Sequence, residues 1–538
     1  MKSIFKLAIS SYSLTGGLNK MKKGSRINMR QNLSVPVVIC AVALIVGCSN
    51  STPTTPFGGA TVTSKSISTG TNPDSKTESL RRESLIKPNT YGVVYSFPKQ
   101  SNGAANPAGP LSIASGGIVY GTTVDDWVNG CGECGDGTVY GFSKGSGSFS
   151  LVHDFNGGDG YSPETGVIQD SSGALYGTAP IGGSGSFCYS SSYGCGVLFK
   201  LTKSGSTWTI HVLHDFGNSS SDGQYPSGPL LLIGSNLYGV TNVGGTGSCY
   251  PYPGCGTIYK IGTSGSSYTT LHDFAGGVNH YPDGPLATDG NGHLYGTTVF
   301  GGSGSCDSSL GCGAVYSINT GGSGFTALYS FTGIDNADGA SPESGVTVVG
   351  VNLFGTTATG GKTGCAVEGN NPAGCGVIFE LFGNDVGAYT ESVIRKFDPA
   401  NGQSPIPSGL LAANSTDLYG TTSLGGDCSV HGFPNGCGLA FEITTSGSYS
   451  IVHKFQGPTA DGAYPNGGTP AGKLITPPSG SGSINPDFSA AGSGAALGVD
   501  TTGTLWGATF NGGSGACPSG CGVIYQLTNG SGSAHRRH

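Results

Sequence analysis

Charge is scarce in this sequence: Asp, Glu, Lys and Arg together make up 10% of it. Between Arg82 and Arg536 the only arginine is Arg395. A nucleic-acid surface needs clustered Lys and Arg to neutralise phosphates, so that class of partner is excluded. Strong helix formers are also few, while glycine reaches 99 of 538 residues. Each glycine inside a helix costs roughly 1 kcal/mol relative to alanine, which excludes long helices and favours short strands joined by glycine turns. The Tyr, Phe, Leu, Ile and Val spaced regularly between the glycines supply a core, which a disordered chain would lack.

No apolar run is long enough to span a bilayer. Val35 to Val46 is the h-region of a signal peptide by length, preceded by Lys20, Lys22, Lys23, Arg26 and Arg30. The first 47 residues hold seven basic residues and no acid, leaving 17 basic against 31 acidic residues in the remainder. Met21 and Met29 are alternative starts to Met1. The run ends Ile45-Val46-Gly47-Cys48, which resembles the lipobox of bacterial lipoproteins. That resemblance implies cleavage before Cys48, lipidation of Cys48, and, with Ser49 next, an address at the outer membrane or cell surface. Residues 1–47 are thus expected to be the signal peptide. Residues 48–88 are expected to be the anchor and a flexible Ser/Thr/Pro tether, and 531–538 a tail.

The body, about 89–530, is repetitive. A Leu-Tyr-Gly-Thr-Thr-like motif places aromatics at Tyr120, Tyr176, Tyr238, Tyr295, Phe354, Tyr419 and Trp506, spaced 56, 62, 57, 59, 65 and 87 residues apart. A Gly-Gly pair follows in six of the seven. Next comes a Gly-Cys-Gly-led strand such as Gly194 to Leu201, then a strand ending in Phe such as Leu213-His214-Asp215-Phe216, then an Asx-Gly turn and a proline before an apolar strand. Four strands in roughly 60 residues make one propeller blade. The chain opens with an unpaired Phe-ending strand, Val93 to Phe97, and closes with a Gly-Cys-Gly strand, Cys521 to Leu527, that lacks one. The expected fold is therefore all-β: a seven-bladed β-propeller with four antiparallel strands per blade, its ring closed by the N-terminal strand completing the last blade. Such closure removes exposed sheet edges. Residues 466–495, rich in Gly, Ser and Pro, interrupt the last blade and read as a mobile surface loop.

Over about residues 91–527 this pattern resembles the GloVer tandem repeat of exported bacterial proteins, and it is also kelch-like. The resemblance implies repeat architecture and export, and implies no particular activity. Quinone-dependent propellers carry tryptophan docking motifs in most blades, and Trp127, Trp208 and Trp506 are too few for that.

Besides Cys40 and Cys48, fourteen cysteines form seven local pairs: Cys131/Cys134, Cys188/Cys195, Cys249/Cys255, Cys306/Cys312, Cys365/Cys375, Cys428/Cys437 and Cys517/Cys521. Export favours disulfides, each closing a short loop for roughly 2–3 kcal/mol in the chain-entropy model. The variable spacing, with no recurring histidine, does not suit a metal site, and no cofactor is expected. Cys131-Gly132-Glu133-Cys134 has redox-type spacing without the helical setting such a site needs, so it is read as structural.

The cysteine loops and the Asx-Gly-Pro loops are the long connections and share one face, where function is expected. The ligand-binding candidates there are Asp125, Asp126, Trp127, Tyr189, Tyr193, Tyr250, Tyr252, His431 and Phe433, aromatics beside acids that could stack on sugars or anchor a protein. His153-Asp154, His214-Asp215 and His272-Asp273 recur at one repeat position, as a structural consensus does, so no catalytic residue is assigned. Asp159, Asp222, Asp338, Asn401 and Asp461 precede glycines and read as turn residues. Glu164 and Glu343 open matching inner strands but lie three blades apart, too far for a glycosidase pair. The expectation is a surface-anchored, monomeric, non-catalytic binding or scaffold module for a protein or glycan, touching the membrane only through its lipid. The alternative is a carbohydrate-active hydrolase or lyase on the same scaffold. Unique polar residues converging in the channel would favour the enzyme.

Overall fold

The computed structural model describes residues 88–529. Left out within that span are residues 99–103, 115, 126–135, 189–193, 250–253, 277–278, 305, 307–310, 334–337, 363–364, 366–373, 384–388, 399–408, 427–435, 458–462, most of 466–497, 501 and 513–520. The described residues form a seven-bladed propeller of four-stranded antiparallel blades. Strand β1 (Pro88–Ser96) precedes the first blade. Blade 1 holds β2 (Ala105–Ile113), β3 (Ile118–Asp125), β4 (Thr138–Ser143) and β5 (Phe149–Asp154) from the channel outward. Blade 2 holds β6 (Val167–Gln169), β7 (Leu175–Ala179), β8 (Val197–Ser204) and β9 (Thr207–Asp215). Blade 3 holds β10 (Gly223–Ile233), β11 (Asn236–Gly244), β12 (Thr257–Gly262) and β13 (Thr269–Asp273). Blade 4 holds β14 (Asn279–Thr288), β15 (His293–Gly301), β16 (Ala314–Asn319) and β17 (Thr326–Ser330). Blade 5 holds β18 (Val346–Val349), β19 (Asn352–Thr357), β20 (Val377–Gly383) and β21 (Tyr389–Lys396). Blade 6 holds β22 (Leu411–Ala412), β23 (Asp417–Thr422), β24 (Leu439–Thr444) and β25 (Tyr449–Lys454).

The last blade confirms the closure read from the chain ends. Its inner strand is split into β26 (Ala463–Pro465) and β29 (Gly498–Val499), with β27 (Gly472–Lys473) and β28 (Gly492–Ser493) between them; β30 (Leu505–Asn511) and β31 (Val523–Asn529) follow. β26 and β29 both pair with β30, and β1 pairs antiparallel with β31 as the fourth strand. The 466–495 insertion is described only at the short β27–β28 ladder, where β27 lies beside β2 and β28 beside β14 and β18.

Packing explains the repeat consensus. A Cβ added to the glycine of any Leu-Tyr-Gly motif (Gly121, Gly177, Gly239, Gly296, Gly355, Gly420 or Gly507) would meet the aromatic ring of the next strand at 2.3–2.6 Å. The ring of Tyr140, Phe199, Tyr259, Tyr316, Phe379, Phe441 or Tyr525 therefore lies flat where only glycine leaves room. The Phe ending each outer strand is buried, and its N–H donates to the carbonyl of the glycine that opens the third strand, as in Phe155 to Gly137, Phe216 to Gly196 and Phe274 to Gly256.

Blade joins blade at two levels. Near the channel, Asn106, Ser162, Tyr225, Tyr281 and Ser341 all adopt φ between 55 and 64°. This left-handed conformation is costly for residues with a side chain. It aims each N–H at a carbonyl of the preceding blade: Cys521, Asp136, Cys195, Cys255 and Cys312 respectively, at 2.8–2.9 Å. At the rim of several seams, a ring two residues before the terminal Phe meets the ring six before the Phe of the next blade. His214 stacks on Tyr268 at 3.7 Å, His272 on Phe325 at 3.7 Å, His453 on Tyr91 at 3.8 Å and Tyr95 on Phe149 at 4.7 Å. Arg395 takes the same place over Tyr449 at 4.2 Å.

Disulfides close the loops Cys188–Cys195, Cys249–Cys255, Cys306–Cys312 and Cys365–Cys375. Cys437 and Cys521 are also disulfide-bonded. Their expected partners Cys428 and Cys517, like Cys131 and Cys134, lie outside the described residues. Disulfides of this number mark an exported protein. No helix among the described residues is long and apolar enough to cross a membrane.

Candidate functional site

The cysteine-loop candidates Asp126, Trp127, Tyr189, Tyr193, Tyr250, Tyr252, His431 and Phe433 lie outside the described residues, as does Cys48. Asp125 ends β3, where only its backbone is described. What the long-loop face does display is the start of each inner strand.

The recurrent His-Asp pairs divide their labour. His153 Nε2 bonds Asp159 Oδ2 at 3.0 Å and His214 Nε2 bonds Asp222 Oδ2 at 3.1 Å, so each histidine holds the turn acid rather than its neighbour in sequence. Asp215 accepts from the Ser184 N–H, and Asp273 from the Thr246 N–H, tying the disulfide loops to the outer strands. These bonds hold both Asp159 and Asp222 below the usual carboxylate range. In blade 4 Tyr329 replaces the histidine and donates to Asp338 at 2.9 Å.

A different group departs from the repeat. In the motif Leu237-Tyr238-Gly239-Val240-Thr241-Asn242, Asn242 stands where other blades carry Val124, Pro180, Val299 or Ala358. His280 stands where blades 1 and 5 carry Ala105 and Ala340 and blades 2 and 3 carry Tyr161 and Gln224. Asp283 and Glu343 follow the inner-strand prolines of blades 4 and 5. The register places these residues together: a Cβ on Gly284 would touch the Glu343 carbonyl at 2.7 Å, so the two acids sit on abutting strands. Asn242 Nδ2 donates to the Pro282 carbonyl at 3.0 Å, which brings blade 3 against Asp283. Ser227 and Asn242 both reach the Asp283 carboxylate. Asn242 is 1% exposed and its Oδ1 has no partner among the described residues; His280 is 8% exposed and its Nδ1 has none among them. Buried polar atoms left unpaired cost on the order of 1–3 kcal/mol each, so Asn242 and His280 mark this seam as the candidate site. Sequence reading singled out Glu343 but missed its pairing with Asp283, because the two are 60 residues apart and meet only where blades 4 and 5 abut.

Burial raises the Asp283 carboxyl to about 6, and burial plus the neighbouring Asp283 raises Glu343 to about 8. Burial lowers His280, which leaves it neutral at pH 7 and unable to supply a counter-charge. A carboxyl whose folded pKa exceeds its unfolded value stabilises most at acid pH and loses that contribution as pH rises through the folded pKa. The protein is therefore expected to lose stability between pH 5 and 9. Glu343→Gln should flatten that slope in melting curves taken across this range; an unchanged slope would show that Glu343 stays solvated.

Glu343 thus couples to Asp283 of the abutting blade. Among the described residues no three His, Cys, Asp or Glu side chains gather closely enough to hold a metal ion.

Comparison with solved structures returns other proteins of low identity. The chain is similar to the nidogen/laminin complex (16% identity, 47% of this chain, 72% of that chain, TM-score 0.29). It is similar to an oligogalacturonate lyase from Vibrio parahaemolyticus (10%, 83% and 94%, TM-score 0.43) and to TolB from Acinetobacter baumannii (13%, 54% and 53%, TM-score 0.30). No curated protein matches the chain. The sequence profile of the Gloeobacter/Verrucomicrobia repeat matches residues 127–367 and 254–477, which together take in blades 2 to 6 and most of the ring. Seven recurrences of one motif set, folded as seven blades and matched by this profile over more than half the chain, make the protein a member of the Gloeobacter/Verrucomicrobia repeat family.

Proposed function

We propose that this protein is an exported, lipid-anchored propeller that binds a glycan on its long-loop face, at the polar seam of blades 3 to 5. The observation that carries the reading is the seam where Ser227 and Asn242 of blade 3 reach the Asp283 carboxylate and Asp283 in turn faces Glu343. Carboxylates and amides set in a rigid apolar frame suit the hydroxyl pairs of sugars. Cys48 carries the lipid, and the protein acts as a monomer.

A second reading shares the site. Glu343, held protonated near neutral pH beside the more acidic Asp283, has the character of a general acid, which favours a carbohydrate-active enzyme. Both readings are tested by screening protein made in an oxidising compartment on a glycan array, with Asp283→Asn and Glu343→Gln alongside. Binding weakened by both substitutions supports the glycan reading. Shortened products with the parent and none with Glu343→Gln, at retained binding, select the enzyme. A blank array on folded protein rejects both and turns the search to protein partners by cross-linking.

A further inference from the structure

The opposite face, formed by the short turns, carries a second feature that does not depend on the site above. Each central-strand aromatic faces a residue of the third strand there. In blades 2 and 3 that residue is a lysine: Lys200 lies over Tyr176 at 5.2 Å, and Lys260 over Tyr238 at 5.8 Å. Lys200 Nζ also donates to the Thr263 carbonyl of the next blade at 3.2 Å. At the junction of blades 7 and 1, Lys144 lies over Trp506 at 5.6 Å and pairs with Asp500 at 3.0 Å. A cation over the aromatic is thus a recurrent element of this face.

Blade 5 has the aromatic and lacks the cation. Phe354 pairs in register with Glu380, where blade 2 pairs Tyr176 with Lys200. Phe354 also lacks the hydroxyl that Tyr419 of blade 6 directs at Glu442. The turn before it, Gly350-Val351, has no acid, whereas Asp170 and Asp500 fill that end of blades 2 and 7 and bond Tyr176 and Trp506. The result is a cleft of about 390 Å³ between blades 5 and 6, lined by Val349, Asn352, Phe354, Glu380, Phe382 and Thr445 among others. Glu380 is 6% exposed; its Oε1 accepts from Asn352 Nδ2 at 2.8 Å, and no described residue donates to its Oε2. Burial raises its carboxyl, the direction a cation would reverse. Thr445 occupies the repeat position of Thr263, the lysine's acceptor in blade 2. Phe382, 45% exposed, forms an apolar rim.

We infer that this cleft is a binding site for a primary ammonium group on an apolar stem, which takes the place over Phe354, beside Glu380 and Thr445, that lysine fills in blades 2 and 3. A free alkylamine and a lysine side chain of another protein share this chemistry.

Titration calorimetry with n-butylammonium chloride tests it, with n-butanol as the uncharged control and N-acetyl-lysine methylamide as the peptide-like probe. The expected result is saturable binding of n-butylammonium and none of n-butanol. The near-isosteric Glu380→Gln should weaken binding roughly tenfold or more, the worth of one charged hydrogen bond. Glu380→Lys, which copies blades 2 and 3, should keep the parent's melting temperature and abolish binding by filling the socket. Lysine amide binding more tightly than n-butylammonium points to a protein side chain as the source, and the reverse order to a free amine. Absence of saturable n-butylammonium binding overturns the inference, as does equal binding by the parent and both folded variants.

Discussion

A chain that begins at residue 98, and so lacks β1, is expected to lose cooperative unfolding and to elute as aggregate. β1 is the fourth strand of blade 7, in register with β31 from Pro88↔Asn529 to Ser96↔Val523. Its residues serve both seams of that blade. Tyr91 stacks on His453 of blade 6 at 3.8 Å, and Tyr95 stacks on Phe149 of blade 1 at 4.7 Å. Phe97 is fully buried and donates its N–H to the Gly522 carbonyl. Loss of a buried Phe alone costs about 3–5 kcal/mol. Removal of the strand also bares the edge of β31, a template for intermolecular pairing. A synthetic peptide of residues 88–97 added in trans should restore a single melting transition. If the shortened chain melts like the parent, the ring does not depend on its closure.

Reduction of the disulfides is expected to lower the melting temperature by on the order of 10 °C. The four pairs seen directly close loops with sequence separations of 6–10, each contributing roughly 2–3 kcal/mol in the chain-entropy model. Their influence reaches beyond the loops. The carbonyls of Cys195, Cys255 and Cys312 accept the bonds from Tyr225, Tyr281 and Ser341 that latch each blade to the next. The Gly276 N–H also bonds Cys255 Sγ at 3.0 Å, just beyond the buried Phe274. Loosened cysteine loops should therefore release the inner seams. Calorimetry with and without dithiothreitol measures this. A melting temperature unmoved by full reduction would mean that the latches hold without the bridges.

Blade-level structure was legible in the sequence because each blade is a local object. The Tyr-Gly pair records a ring lying on a strand, the Gly-Cys-Gly run records the turn that receives the Phe N–H, and both recur within about 60 residues. The incomplete blades at the two ends revealed the closure, since a missing Phe-ending strand at one end matched a surplus one at the other. The recurrence of His-Asp marked it as structural, although the histidine's partner proved to be the turn acid six to eight residues on, a contact set by the fold of the loop. The seams were not legible. Whether His214 meets Tyr268, whether Asp283 abuts Glu343, and whether Thr445 closes the cleft beside Phe354 and Glu380 depend on residues of adjoining blades. Alternation and spacing describe one strand and its hairpin neighbour, while contacts across a seam arise only when the blades twist and pack around the axis. By itself the sequence determined the repeat, the number of blades and the way the ring closes, because these follow from hydrogen-bonding register and glycine sterics within a blade. Only the tertiary structure decided where the ring departs from its own symmetry, because a departure acquires meaning from the neighbour it faces.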